Sequence, residues 1–347
     1  MKFICFGAGA IGSYVGGSLL LSGNEVVFVE RAERIARFKE NGIRIEEVSG
    51  QVHEISNFEV VSDVTDVIHN RAFDAVILAV KSFDTQTLLD SMKDIVDLLP
   101  PFISLQNGVE NEKILETCLG SEKVIPVSVC TAISRADSGS IKVEKLRGIG
   151  IQDGKSLSRP LFDAFTSAGL KPQLIADGTA MKWSKMISNL LANASSAILD
   201  MSPAEIFADA DAFDLEVRQI RETIAVMDAY DIPVVNIPGV PVKLLAWAMK
   251  VLPKLILKPV LIKQVGSGRG GKMPSFHIDL YAGNQQSEVE YLNGAVVRFA
   301  ESKNILVPVN SGYTKILTAL ARKELPLDTY RKKPKALKEA LLRTVKQ

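Results

Sequence analysis

Apolar residues in the first half of the chain form short continuous runs separated by segments of helical spacing. The runs FDAVILAV (73–80) and FISLQNG (102–108) are typical of parallel strands that are covered on both faces of a sheet. The intervening DTQTLLDSMKDIVDLL repeats its apolar residues every three or four positions, as a helix does. Because strand and helix alternate to about Ile175, the pattern predicts an α/β fold with a doubly wound sheet.

From Gly178 onward the pattern changes to long segments of helical spacing. A strand-rich half followed by a helix-rich half indicates two domains, which agrees with a length of 347 residues. We predict a sheet domain over 1–176 and an all-α C-terminal domain over 177–347. Its predicted helices cover 178–199, 210–228, 287–302, 309–323 and 334–345.

A glycine-rich turn, FGAGAIG, follows the first predicted strand. Gly7 permits a tight turn, Gly9 lets a pyrophosphate approach the backbone, and Gly12 lets the following helix pack on the strand. The helix start also offers unpaired N–H groups to phosphate. This context predicts a Rossmann-like domain whose cofactor is held by the six loop residues Gly7, Ala8, Gly9, Ala10, Ile11 and Gly12. The alternative is that the glycines serve only a tight turn.

Two residues of opposite charge, Glu30 and Arg31, follow the second strand, where the cofactor's ribose is usually recognised. A carboxylate there favours NAD because it bonds the 2′-hydroxyl, whereas an arginine accommodates the 2′-phosphate of NADP. Arg34 and Arg37 follow at helical spacing, where they would add positive charge or lie on a solvated helix face. We predict NADP (NADPH) as the cofactor, with Arg31 as a phosphate contact.

Charge and composition argue against several classes of protein. The formal net charge of +1 provides no long-range field that would attract nucleic acid. The three cysteines and three histidines lack the paired spacing of a disulfide framework or a metal site. Glycines interrupt the apolar start of the chain and a second strand follows it, so a strand–turn–helix explains it better than a signal peptide. We therefore expect a cytoplasmic protein.

The segment KWSKMISNLLAN (182–193) places polar residues inside an otherwise apolar helical pattern. Lys185, Asn189 and Asn193 recur every four residues, which predicts one polar stripe on one helix face. Such groups must be solvated, paired or functional. Lys182 lies three residues before Lys185 and is out of phase with both asparagines.

Six segments in their order along nearly the whole chain resemble the ketopantoate reductase family. The family resemblance implies a Rossmann domain, a helical domain, substrate in the cleft between them, and NADPH-dependent reduction of a 2-oxoacid. The segments are GAGAIG, Arg31 after the second strand, AVKSFDT, LQNGVEN, KWSKMISNLLAN and SFHIDL…SEVEYLNGAVV.

The resemblance assigns the general acid to Lys185, with Lys182 as the alternative. Reduction of a ketone by hydride creates an alkoxide, which a positioned lysine can both protonate and stabilise by its charge. Asn189 and Asn193 would then bind the substrate hydroxyl and carboxylate. The other interpretations are an interdomain salt bridge for Lys185 and helix capping or bridging for the asparagines.

Four further positions take site roles from the resemblance. Glu288 becomes an active-site carboxylate that contacts the substrate hydroxyl, although a glutamate after Ser287 would also suit a capped helix start. Ser275 binds the substrate carboxylate. Asn107 lies beside nicotinamide and substrate, or forms only a turn. Lys81 faces the cofactor or substrate, or is a surface lysine. Glu290 is the alternative carboxylate.

Departures from the family pattern leave the substrate open. AILDMSPAEIF follows Asn193, with Asp200 and no further Asn after its proline. The spacing from Asp279 to Glu288 is slightly longer than in the family. The segment 236–272 is longer and more apolar than the family pattern, and its lysines and prolines argue against a membrane span.

Three functions are consistent with these residues. The first is NADPH-dependent reduction of 2-dehydropantoate to (R)-pantoate, in pantothenate and CoA biosynthesis. The second is reduction of another 2-oxoacid or ketone. The third is a non-catalytic NADP-binding protein that docks partners or membranes through 236–272. We expect that segment to be a core, lid or homodimer contact instead.

Overall fold

The computed structural model describes residues 1–137, 139–268 and 273–343. Contacts divide the chain into two compact units. The first comprises Met1–Lys182 with Asn236–Val240, and the second comprises Trp183–Val235 with the chain from Pro241 onward. The division falls inside a helix, a few residues after the position expected from the sequence, and five residues of the 236–272 segment return to the first unit.

An eight-stranded sheet forms the centre of the first unit, in the order β12-β11-β8-β7-β6-β1-β2-β5. Neighbouring strands are parallel except for β11 against β8, and β6 and β2 flank β1. The predicted doubly wound sheet is therefore confirmed. Its strands are β1 (Lys2–Phe6), β2 (Glu25–Val29), β5 (Glu59–Val61), β6 (Ala75–Leu78), β7 (Phe102–Ser104), β8 (Val124–Val129), β11 (Ile149–Gln152) and β12 (Pro172–Ile175).

A second, four-stranded sheet in the order β4-β3-β10-β9 belongs to the same unit. Its strands are β3 (Ile43–Glu46), β4 (Val52–Ile55), β9 (Ala132–Asp137) and β10 (Ser140–Lys145). The sequence pattern did not predict β9 or this sheet. The sheet depends on the parallel pairing of β10 with β3, about a hundred residues apart, which a local pattern does not encode.

Helices cover the first unit's strands from both sides. They are α1 (Ala10–Leu21), α2 (Ala32–Asn41), α3 (Thr65–Ile68), α4 (Thr85–Ser91), α5 (Asn111–Leu119), α6 (Ser158–Ser167) and the start of α7 (Gly178–Leu190).

The central strand β1 shows why its sequence is apolar at successive positions. Phe3 and Cys5 belong to one hydrophobic core, and Ile4 and Phe6 belong to the other. Successive side chains of a strand point to opposite faces, so a sheet with a core on each face needs an unbroken apolar run.

The described part of the second unit is all helical, as predicted. The 20-residue helix α10 packs against helices that precede and follow it in the chain. After the end of α7, the helices are α8 (Ala194–Leu199), α9 (Pro203–Ala208), α10 (Ala210–Ala229), α11 (Val242–Val251), α12 (Lys254–Gly268), α13 (Ser275–Tyr281), α14 (Asn293–Glu301), α15 (Pro308–Ala321) and α16 (Pro334–Arg343).

Two of the predicted long helices are interrupted. The segment 178–199 breaks into α7 and α8, and 287–302 breaks into a 3₁₀ turn, Glu288–Tyr291, followed by α14. The segment 236–272 contains α11 and α12, while 269–272 lie outside the described residues. Of the described helices, none has the length and apolar character needed to cross a membrane.

Candidate active site

The glycine loop joins β1 to α1 at the carboxyl ends of the central strands. Gly7 has φ +91°, a conformation that L side chains rarely adopt. A Cβ on Gly12 would lie 1.9 Å from the Gly7 carbonyl oxygen, so only glycine allows α1 to approach the loop this closely. The two outer glycines are thus required by the protein's own backbone.

Gly9 is different, because the backbone conformation and packing at this position do not require a glycine. It is the N-cap residue of α1 with φ −74°, which any residue adopts, and no described atom lies within 4 Å of its Cβ position. The first-turn N–H groups of a helix lack intrahelical partners and suit a phosphate. The loop therefore fits a dinucleotide pyrophosphate approaching over Gly9.

Glu30 is held by the glycine loop and its own neighbours. One carboxylate oxygen accepts from the Ala8 N–H at 2.9 Å, and the other accepts from the Arg31 N–H at 3.1 Å and the Arg34 guanidinium at 3.2 Å. The Glu30 side chain is buried, whereas the Arg31 side chain is 64% exposed and pairs with Asp84 at 3.3 Å. Arg31 thus presents an accessible guanidinium close to the end of β2.

Lys81 and Asn107 lie on the loops that follow β6 and β7, and both are exposed. The Asn107 carbonyl accepts from the Ser82 hydroxyl at 3.0 Å and from Asn111 Nδ2 at 2.7 Å. These bonds tie the two loops together. In sheets of this kind ligands bind at the carboxyl ends of the strands, beside the point where strand order reverses. Here that point is β1, next to β6.

The predicted polar stripe of α7 is correct for two residues and wrong for the third. Lys185 and Asn189 are four residues apart within α7, and both are half-buried. Helix α7 ends at Leu190, and Ala192 adopts a left-handed conformation with φ +52°, so Asn193 is not on the same helix face. Asn193 is instead the N-cap residue of α8.

A buried carboxylate stabilises this break. Glu216 of α10 is fully buried and accepts from the Ala192 N–H at 2.6 Å and from the Ser195 hydroxyl at 2.6 Å. Gln219 donates to it as well, at 2.7 Å. Sequence reasoning did not select Glu216, although its charge within an apolar helical pattern was the available signal.

Asn193 is buried and contacts the start of α13. Its Oδ1 accepts from the Phe276 N–H at 3.1 Å. Ser275, the first residue of α13, is exposed. Asn193 therefore holds in place the turn of backbone that carries Ser275.

Glu288 and Glu290 have different surroundings. Glu288 begins the 3₁₀ turn and is 6% exposed. The Ser287 hydroxyl caps this turn by accepting from the Val289 N–H, which agrees with the alternative of a capped start. Glu290 faces α15, where it accepts from Thr318 and Arg322, each at 3.3 Å. Glu290 is thus engaged in a surface ion pair.

The departure at Asp200 forms a local ion cluster. Asp200 pairs with His277 at 2.8 Å and with Arg331 at 2.8 Å, and His277 stacks on Tyr281. The hydrogen bond from His277, together with Arg331, holds the pKa of the Asp200 carboxyl below its usual value. The negative charge of Asp200 is thus balanced by His277 of α13 and by Arg331. These contacts at the end of α8 explain the departure.

The predicted residues fall into two groups. The cofactor loop, Arg31, Lys81 and Asn107 belong to the first unit, and the second unit holds Lys185, Asn189, Asn193, Ser275 and Glu288. Lys182 belongs to the first unit, whereas Lys185 belongs to the second. No group of metal-ligating side chains occurs among the residues that the structure describes.

Family models match both the strand-rich and the helical part of the chain. The family model "Ketopantoate reductase PanE/ApbA" matches residues 3–155, and its C-terminal counterpart matches residues 177–321. A 2-dehydropantoate 2-reductase of Pyrococcus horikoshii is 27% identical over 320 residues, covering 89% of this chain and 94% of the relative.

Solved structures share the fold. A PanE/ApbA family ketopantoate reductase from Ralstonia eutropha JMP134 has a TM-score of 0.78 and 26% identity, covering 93% of this chain and 99% of that one. A D-mandelate dehydrogenase with NADH and anilino(oxo)acetate has a TM-score of 0.74 at 22% identity, covering 95% and 100%.

The chain combines a Rossmann-like domain that carries a dinucleotide-type glycine loop with a helical domain, and the family that it matches makes it an NAD(P)-dependent oxidoreductase that acts on a CH–OH group. Since the family models together match most of its length, the chain belongs to the ketopantoate reductase family.

Proposed function

We propose that this protein is an NADPH-dependent reductase of a branched 2-oxoacid, which converts 2-dehydropantoate to (R)-pantoate in pantothenate biosynthesis. The observation that carries the proposal is the pair Lys185 and Asn189. They lie four residues apart on one half-buried face of α7, in a chain whose curated relatives are named 2-dehydropantoate 2-reductase.

The state of Glu30 supports NADPH over NADH. Its carboxylate already accepts from Ala8, Arg31 and Arg34, while the Arg31 guanidinium is largely exposed. A cofactor with a 2′-phosphate gains a charge-assisted contact from Arg31 that a 2′-hydroxyl does not. Bound NADPH would supply the hydride, and Gly7–Gly12 with Arg31 would hold its phosphates.

Lys185 would perform the proton chemistry. When the ketone oxygen gains negative charge, the Lys185 ammonium stabilises that charge and donates its proton to the same oxygen. Asn189, one turn later, would hydrogen-bond the substrate oxygens. The buried Glu288 carboxylate would accept from the new hydroxyl, a role that Glu290 cannot share because it is engaged with α15.

Ser275 and Asn107 would recognise the substrate. The exposed Ser275 hydroxyl would donate to the substrate carboxylate, with Asn193 fixing the start of α13. Asn107 would contact the substrate and the nicotinamide amide, and Lys81 would add positive charge for an anionic substrate.

A turnover panel tests the proposal. NADPH oxidation is measured with 2-dehydropantoate and with linear, branched and aromatic 2-oxoacids, and each rate is repeated with NADH. We expect the highest kcat/KM for 2-dehydropantoate with NADPH. Lys185→Met should lower kcat by about 10²–10⁴-fold, since both the proton donor and its charge are lost. Lys93→Met, at an exposed lysine, is the matched control and should keep full activity.

Other outcomes identify the alternatives. A clear preference for a different 2-oxoacid would reject 2-dehydropantoate but keep the reductase. Absence of turnover on every ketone, with NADPH still raising Tm, would favour an NADP-binding protein that docks through the exposed apolar residues of α11 and α12, which include Leu244, Trp247, Val251 and Leu255. Near-normal activity of Lys185→Met would reject Lys185 as the acid.

A further inference from the structure

Lys182 is a buried cation at the carboxyl end of β7. Its side chain is 4% exposed, and its ammonium donates to the carbonyl oxygens of Ser104 at 3.0 Å and Gln106 at 2.9 Å. The Glu112 carboxylate lies 2.7 Å away and neutralises the charge, although the contact lacks good hydrogen-bond angles. Lys182 thus binds the backbone immediately before Asn107.

Burial of a charged group is costly unless the group is paired and hydrogen-bonded. If Lys182 only filled space in the core, an apolar side chain would do so without the cost of burying a charge. Its position therefore points to the backbone that it holds. With two main-chain carbonyls and a carboxylate around it, Lys182 is also ill placed to act as a proton donor to substrate.

The same stretch of backbone is held from its other side. Gln106 Nε2 donates to the Val80 carbonyl at 3.0 Å and to the Thr85 hydroxyl at 2.7 Å. Asn111 Nδ2 donates to the Asn107 carbonyl at 2.7 Å and to the Ser82 hydroxyl at 3.1 Å. Hydrogen bonds therefore join the loops after β6 and β7, and Lys81 and Asn107 are exposed on these joined loops.

We propose that Lys182 is a positioning residue for the reaction, whose buried ammonium fixes residues 104–107 so that Asn107 is held ready for substrate and nicotinamide. This inference rests on the proposed reductase function. Displacement of a positioning group by about 1 Å can reduce turnover by roughly 10²-fold. The Lys182 ammonium bonds to the backbone of Ser104 and Gln106 and pairs with Glu112, so affinity for the cofactor phosphates should depend little on it.

The test uses a variant that removes both charges. Lys182→Met alone leaves Glu112 buried and uncompensated, which destabilises a fold, whereas removal of both partners of a buried pair is often neutral. We therefore compare K182M/E112Q with the wild type. The control is K142M/E46Q, which removes an ion pair of the same 2.7 Å separation on the small sheet.

We expect the double variant to lose turnover while it keeps its fold and its response to NADPH. K182M/E112Q folds, keeps the NADPH-induced rise in Tm and loses about 10–100-fold in kcat, and the amides of Leu105–Gly108 exchange faster with deuterium. The pH profile of its residual kcat still shows the titration of the general acid, because Lys185 is intact. K142M/E46Q keeps wild-type kcat.

Other results overturn the proposal. An unchanged kcat in the folded double variant would show that Lys182 does not act through Asn107. Loss of this titration from the pH profile would identify Lys182 as the general acid. A wild type without turnover would refute the reductase function, while unaltered amide exchange at 105–108 would refute the positioning role independently.

Discussion

At the scale of single residues, Gly9 and Gly12 occupy their places for different reasons. A Cβ on Gly12 would lie 1.9 Å from the Gly7 carbonyl oxygen and 3.2 Å from the Ala79 Cβ, so the fold itself requires glycine there. A Cβ on Gly9 would meet no described atom within 4 Å. If a cofactor approaches that loop, it is the ligand that requires glycine at position 9.

This difference predicts opposite behaviour of two alanine variants. Gly9→Ala should keep or raise the free energy of unfolding by about 0.4–1 kcal/mol, since the unfolded chain loses freedom and the folded chain meets no clash. It should nevertheless lose the NADPH-induced rise in Tm. Urea unfolding and thermal shifts with NADPH provide both measurements.

Gly12→Ala is the matched control. It should destabilise the protein by about 1–3 kcal/mol or more, because the new methyl overlaps backbone. A Gly9→Ala variant that binds NADPH like the wild type would contradict the assignment of this loop to the pyrophosphate.

At the scale of elements, α10 organises the helical unit through a buried carboxylate as well as through apolar contacts. Asp214 pairs with Lys254 of α12, Lys338 of α16 and Arg218 of its own helix. Burial by itself raises the pKa of the Asp214 carboxyl, but the hydrogen bonds from Lys254, Lys338 and Arg218 outweigh burial and hold that pKa well below 3.8. Three helices are thus linked at one carboxylate.

A depressed folded-state pKa makes this stabilisation dependent on pH. It is fully present above the unfolded value near 3.8 and is lost as pH falls through the folded pKa. Asp214→Asn should lower the free energy of unfolding by about 1–3 kcal/mol at pH 7, with a difference from wild type that narrows below about pH 4. Urea titrations at pH 7, 5 and 3.5 measure it.

Asp228→Asn, on the same helix, is the control. Its pair with Lys250 is more than half exposed on both sides, so its loss should cost about 0–1 kcal/mol. A difference between Asp214→Asn and wild type that stays constant from pH 7 to pH 3.5 would contradict the ionised, stabilising state of Asp214.

The junction of α7 and α8 shows how one element overrides a sequence pattern. The spacing of Lys185, Asn189 and Asn193 suits one continuous helix. The Glu216 carboxylate binds the Ala192 N–H, which stabilises a left-handed residue and moves Asn193 to a new helix start. The partner lies 24 residues away on α10, so no local rule could anticipate it.

At the scale of the whole molecule, the proposed roles divide between the two units. The glycine loop, Arg31, Lys81 and Asn107 lie in the first unit, and Lys185, Asn189 and Ser275 lie in the second. We therefore expect cofactor and substrate to stabilise different segments of the chain.

Hydrogen–deuterium exchange checks this division. NADPH alone should slow exchange in residues 7–13 and 30–35 of the first unit, because a bound ligand stabilises the segments that it contacts. Subsequent addition of the unreactive product (R)-pantoate should slow exchange at 186–193 and 275–278. The NADPH complex incubated for the same time without pantoate is the control for the second step. Protection by NADPH confined to α11 and α12 would contradict the proposed roles.

Much of the fold could be predicted from the sequence, and the reasons are local. Continuous apolar runs predict strands of a sheet that has a hydrophobic core on each face, and helical spacing predicts the helices that cover it. The glycine spacing predicts a loop whose backbone requires glycine at set positions. The small sheet was missed because β10 pairs with β3 across about a hundred residues. The roles predicted for individual site residues remain predictions.

The sequence by itself determined the class of domain and the glycine loop, because spacing and residue type control the local backbone. Its resemblance to the family supplied most of the candidate residues. Only the tertiary structure decided that Glu30 is engaged by Ala8, that Asn193 leaves the α7 stripe, and that Lys182 is buried against the backbone of Ser104 and Gln106. Each of these depends on partners distant in sequence, which the packing of elements alone brings within hydrogen-bond distance.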